Sequence, residues 1–183
     1  GGITYEEARP LIVPGDLLFL HHAYVKDWME LSLYDKQIYA VQKFTGPMAH
    51  IGILDRALFP DEPDERVICY ESVTDRVRAV RLSTTAEHGF FWVRMDKPIT
   101  PAEREALWAI SGFGPYSKVG AVLAGLGLLP KDEAQRERMW CAKLAEVYRA
   151  KSGVDLGGSM VPTQQLHYLM DRYNARLQYV RMN

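Results

Sequence analysis

The sequence predicts an α+β protein in one domain, with antiparallel strands forming a sheet and helices packed against it. Three observations point there. Short apolar runs of strand length recur between turn signals in the first hundred residues. Stretches with helical spacing are grouped separately, one early and several late. A chain of 183 residues with 48% hydrophobic content is long enough for one sizeable core and short for two.

The elements follow in order. Tyr5 to Ile12 is a short lead-in, and Gly1-Gly2 has the form of a scar left by tag removal. Pro14-Gly15-Asp16 turns the chain into an apolar strand, Leu17 to Leu20, which ends on His21 and His22. Adjacent strand residues point to opposite faces, so these two histidines are not expected to share a site. Tyr24 to Phe44 reads as a surface helix stopped by Thr45-Gly46-Pro47. Met48 to Leu54 is a buried strand carrying a single imidazole, His50, with Gly52 on the same face leaving open space beside the ring. After a polar loop, Val67 to Val73 forms a strand on which Val67, Cys69, Glu71 and Val73 share one face. A carboxylate in that company is costly to bury without a partner.

Val77 to Leu82 reads as a strand with a partly wet face, and Gly89 to Met95 as a strongly apolar one. Thr100-Pro101-Ala102-Glu103 is a helix start with a capping-box pair, and Gly112-Phe113-Gly114-Pro115 breaks the helix just before Tyr116. Val119 to Leu129 is apolar but too short to span a bilayer, and reads as a core helix. Trp140-Cys141-Ala142-Lys143-Leu144 opens an amphipathic helix running to Lys151. Its first N–H groups and dipole favour thiolate over thiol at Cys141 if the helix begins there. Thr163 is placed to cap a last helix, Gln164 to Tyr173, before a final strand, Leu177 to Val180.

A formal net charge of −1 gives no general attraction to nucleic acid or anionic membrane. No secretory n-region and h-region and no membrane span stand in the sequence, while the Gly1-Gly2 scar leaves a missing native leader open, so the location is left undecided between the cytoplasm and delivery to the cell envelope. Cys69 and Cys141 lack metal-ligand spacing and a CxxC companion, so both are expected reduced, with Cys69 structural. The five histidines show no paired-ligand spacing, and no metal or cofactor is expected. What remains is a constellation. A cysteine nucleophile needs a base within reach, and the base needs an orienting group. His50 and Glu71 lie on strands that the loop between them allows to pair, and a helix packed on that face presents Cys141 to His50.

Pro14-Gly15-Asp16-Leu17-Leu18-Phe19, then Ala49-His50-Ile51-Gly52-Ile53, then Tyr70-Glu71, then Trp140-Cys141-Ala142-Lys143-Leu144 resembles, in composition and order, the circularly permuted NlpC-type papain-like family, the YiiX/YebB-like cysteine hydrolases. Gly153-Val154-Asp155-Leu156 with Val161-Pro162-Thr163-Gln164-Gln165-Leu166 is similar to that family's closing segment, and the likeness runs from about Pro14 to Leu169. The resemblance implies a papain-like fold, with a central antiparallel sheet or small barrel and the nucleophile at the start of a late helix. It implies Cys141 as nucleophile, His50 as base and Glu71 as orienting residue, with Tyr116, Trp140 and Gly52 near the substrate. The implied activity is thiol hydrolysis of an amide in a peptide or peptidoglycan stem peptide. A lipid acyl hydrolase or acyltransferase is the alternative kept open by Val119 to Leu129. A non-catalytic binding module and a virion component are the readings outside enzymes. Ala49 stands where the family has serine or threonine, and Ala142-Lys143 where it has Ser-Glu. These departures concern the substrate pocket more than the three catalytic residue types.

Overall fold

The computed structural model describes residues 2–21, 46–60, 62–73, 76–111, 141–158 and 161–182. The expected helix from Tyr24 to Phe44, the apolar segment from Val119 to Leu129, and His22, Tyr116 and Trp140 lie outside them. The described elements are β1 (Ile3–Thr4), α1 (Tyr5–Ala8), a 3-10 turn (Arg9–Leu11), β2 (Leu17–His21), β3 (Met48–Ala57), β4 (Arg66–Ser72), β5 (Val77–Arg81), α2 (Leu82–Thr85), β6 (Phe90–Arg94), α3 (Pro101–Ile110), α4 (Cys141–Ala150), α5 (Pro162–Tyr173) and β7 (Arg176–Arg181). None of these helices is long and apolar enough to cross a membrane.

The seven strands make one mixed sheet in the order β1-β7-β6-β2-β3-β4-β5. β1 pairs parallel to β7 and every other pairing is antiparallel. Among the described residues β1 and β5 remain edges, so the sheet is open and not the small barrel held as an alternative. The central strand β2 is buried on both faces, which is why Leu17 to Leu20 is continuously apolar rather than alternating. Leu17 and Phe19 enter a core with Ile51, Ile53, Ile68, Tyr70, Leu144, Ala145, Leu166 and Leu169. Leu18 and Leu20 enter a second core with Leu54, Cys69, Leu82, Phe90, Trp92 and Val180. Helices α4 and α5 cover the first, and the N-terminal segment with Ala8 and Ile12 covers the second.

Buried carboxylates tie the layers. Asp16 of the Pro-Gly-Asp turn is fully buried and accepts from the Val13 N–H (2.9 Å), the Met95 N–H (2.9 Å) and the Trp92 Nε1–H (2.8 Å). Asp55 accepts from Tyr70 Oη (2.9 Å) and takes a two-point fork from Arg104 Nε (2.7 Å) and Nη2 (2.8 Å). Glu103 differs from its expected role. Thr100 caps α3 by accepting from the Glu103 N–H at 3.2 Å, but the Glu103 carboxylate does not complete a capping box. It binds Arg149 Nη1 (2.5 Å) and the Ser152 hydroxyl instead, joining α3 to the end of α4. A fully buried arginine competes more strongly for that carboxylate than a neutral backbone N–H does.

Candidate active site

His50 and Glu71 come together by strand pairing. The β3–β4 register runs from Ala57↔Arg66 to Ile53↔Tyr70, and continuing it sets Gly52 opposite Glu71. His50 is therefore the diagonal neighbour of Glu71, a separation that two long side chains bridge. They do so with His50 Nε2 2.8 Å from Glu71 Oε2. The side chain of Glu71 is 1% exposed and that of His50 16%.

The β2–β3 register slips beside His50. Leu20 pairs with His50 but His21 pairs with Met48, leaving Ala49 as an extra residue on β3. Such a bulge re-aims neighbouring side chains, and His50 makes contacts that simple alternation would separate. Glu71 shares the strand face of Cys69, which packs in the second core, whereas Cys141, on α4, packs in the first. Glu71 hydrogen-bonds the imidazole, and Cys141 lies close enough to it to help raise its pKa.

The charges support one another. Burial lowers the His50 pKa, but the hydrogen bonds and negative charges of Cys141 and Glu71 outweigh it and push the value up to about 10. Burial raises the Glu71 pKa, and here His50 and Arg78 outweigh it, pulling the value down to about 2. At neutral pH the pair is an imidazolium and a carboxylate. Cys141 is 3% exposed and is the first described residue of α4; with residue 140 outside the described set, the expected helix start at this position lies outside it too.

The second Glu71 oxygen has its own partners. Oε1 accepts from Arg78 Nε (2.7 Å), lies 2.6 Å from Arg78 Nη2, and accepts from Thr85 Oγ1 (2.9 Å). The sequence reading assigned neither residue a role. The register places Arg78: Val73 and Arg76 exchange backbone hydrogen bonds, and counting outward from that closure sets Arg78 opposite Glu71.

Two expectations are corrected. Gly52 does not leave open space beside the imidazole. A Cβ built on Gly52 would run into Cys69 Sγ, with the Tyr70 carbonyl oxygen 3.4 Å away and Leu18 Cδ2 3.8 Å away, so the missing side chain makes room for Cys69. Thr163 does not cap the last helix. Val161 occupies the N-cap position without a side-chain hydrogen bond and Pro162 follows it, while the Thr163 hydroxyl accepts from the Met48 N–H at 3.0 Å. Cys69 is free, buried and held well above its usual pKa by burial, with the Glu71 charge adding to the effect. Among the described residues no cluster of three or more histidine, cysteine or acidic side chains is placed to hold a metal ion.

The arrangement runs from the sulfur through imidazolium and carboxylate to guanidinium. Such an arrangement can hold a thiolate nucleophile and deliver a proton from the same imidazole. No protein-family model matches the sequence, and no curated protein matches it.

Proposed function

We propose that this protein is a thiol hydrolase that cleaves an amide bond, in a peptide or a peptidoglycan stem peptide, through Cys141, His50 and Glu71. One observation carries the reading: a single imidazole is hydrogen-bonded to a buried, ionised carboxylate and lies close enough to a cysteine for that cysteine to help raise its pKa.

The chemistry follows from the charge states. Cys141 Sγ attacks the carbonyl carbon as thiolate, and the carbonyl π pair moves onto oxygen. As that pair returns, the C–N bond breaks and the imidazolium of His50 gives its proton to the departing nitrogen. An amine is a poor leaving group unless protonated, so an imidazole that rests charged at neutral pH suits an amide better than an ester, whose alkoxide leaves with less help. The product is a thioester on Cys141 and a neutral His50. Neutral His50 then takes a proton from water, whose oxygen attacks the thioester carbon, and the thiolate departs to restore the resting pair. Glu71 fixes the ring and balances the imidazolium, and Arg78 and Thr85 hold Glu71.

The test incubates the protein with peptidoglycan fragments, unstructured peptides and phospholipids in parallel and identifies products by mass spectrometry. Amide cleavage together with an acyl adduct on Cys141 is the expected result. Turnover of the phospholipid alone would replace the amide by an ester, and cleavage that survives Cys141→Ala would remove the reading.

A further inference from the structure

We propose that Thr163 and Gln165 are positioning residues: from the first turn of α5 they hold the base-bearing strand and the nucleophile-bearing helix in fixed register, and so set the approach of Cys141 to His50. The inference rests on the thiol-hydrolase reading of that pair.

Thr163 is near the start of α5, where a hydroxyl is ordinarily spent on the helix's own free N–H groups. Here it is spent on a strand 115 residues away. Its Oγ1 accepts from the Met48 N–H at 3.0 Å and lies 3.5 Å from the Met48 carbonyl oxygen, which it can donate to. Met48 is the residue immediately before the bulged Ala49, so Thr163 pins the backbone from which His50 is aimed. Gly46 makes the approach possible. A Cβ on Gly46 would overlap the Thr163 side chain, and its φ of +133° is one that other residues rarely adopt.

Gln165 performs the matching task on the other side. It is fully buried, and its Nε2 donates to the Ala142 carbonyl at 2.9 Å, one residue after the nucleophile. Both bonds go to backbone atoms, and they grip the chain within two residues of His50 and one of Cys141. A single turn of α5 thus reaches the backbone beside both partners of the reacting pair, which come from segments some ninety residues apart in sequence. The apolar contacts of Leu166 and Leu169 in the shared core keep that turn in place.

A purely structural role predicts lower stability with an unchanged Cys141–His50 pair; a positioning role predicts a changed pair in protein that is still folded. The experiment measures the rate of Cys141 alkylation by iodoacetamide across pH in the unmodified protein, Thr163→Val, Thr163→Ser and Gln165→Met, each below its melting temperature. In the unmodified protein the rate should hold a plateau through neutral pH. Thr163→Val and Gln165→Met should lose about tenfold at neutral pH, corresponding to about 1.4 kcal/mol, with the acid limb of the profile displaced upward. Thr163→Ser, which keeps the hydroxyl, should recover most of the rate. Valine and methionine variants that melt earlier but keep the original profile would overturn the proposal, and if the valine variant does not fold the methionine variant decides alone. An ordinary thiol profile already present in the unmodified protein would overturn the thiol-hydrolase reading itself, and the positioning role with it.

Discussion

Arg78 grips Glu71 through one oxygen only. Its Nε and Nη2 stand 2.7 and 2.6 Å from Glu71 Oε1, and Oε2 is left to His50. The carboxylate is thereby held from its far oxygen while the near one faces the ring. Replacing Arg78 with methionine should cost about 1.5–3 kcal/mol of stability, the range for a hydrogen bond to a charged group. Turnover should fall as well, because Thr85 alone then fixes the carboxylate. Arg78→Lys keeps the charge without the two-point geometry and should recover part of both. Chemical denaturation and steady-state turnover of the three proteins check this. Equal turnover in all three would show that Arg78 serves the fold alone.

The pKa shifts fix the direction of the pH dependence. His50 is raised from 6.5 to about 10, so its charge contributes stability that is complete below about pH 6.5 and lost as pH rises through 10. Glu71 is lowered from 4.5 to about 2, so its contribution is complete above about pH 4.5 and lost as pH falls toward 2. Activity should therefore fall on the alkaline side near pH 10. Glu71→Gln removes the anion that helps hold the imidazolium, and should bring that alkaline limb down while lowering turnover, by about 10²-fold if proton transfer is impaired. A limb that stays in place would mean Glu71 does not govern the charge of His50.

Much of this arrangement was legible in the sequence. The strands from Met48 and Val67 could be read because apolar alternation and turn residues bracket them, and Glu71 stood out as a carboxylate among apolar neighbours. Thr163 was misread because local sequence rewards a threonine beside a proline as a cap, while its hydroxyl answers to a backbone N–H 115 residues away. Gly52 was misread for the same reason: its neighbour Cys69 lies on another strand. The half-formed capping box at Thr100 is a third case, since the pull of Arg149 on Glu103 exists only once α4 has packed. Local patterning reports elements and faces; it does not report which distant group claims a polar side chain.

Gly52 and Cys69 make a packing prediction. Gly52→Ala drives a methyl into the Cys69 sulfur and should cost about 1–3 kcal/mol through overpacking. Cys69→Ala alone leaves a small void. The double variant should be more stable than the sum of the two, because each change relieves the other. Thermal unfolding of the four proteins closes the cycle, and strict additivity would contradict the contact.

Asp16 gives the Pro-Gly-Asp turn a structural reason. Asp16→Ala strands two buried donors, from Met95 and Trp92, and a partly buried one from Val13. The loss should be about 3–5 kcal/mol, given about 1–3 kcal/mol for each unsatisfied buried group with some relaxation. Because Asp16 lies away from His50, the folded fraction should retain its turnover. A stable variant without activity would place Asp16 in the chemistry instead.

The central claim is that His50 rests as an imidazolium between Cys141 and Glu71. Nitrogen-15 NMR of the labelled imidazole, followed from neutral to alkaline pH, tests it most directly. Both ring nitrogens should be protonated at neutral pH, with deprotonation only near pH 10 and a clear downward shift of that transition in Cys141→Ala. A neutral ring at pH 7, or a titration that ignores Cys141→Ala, would contradict it.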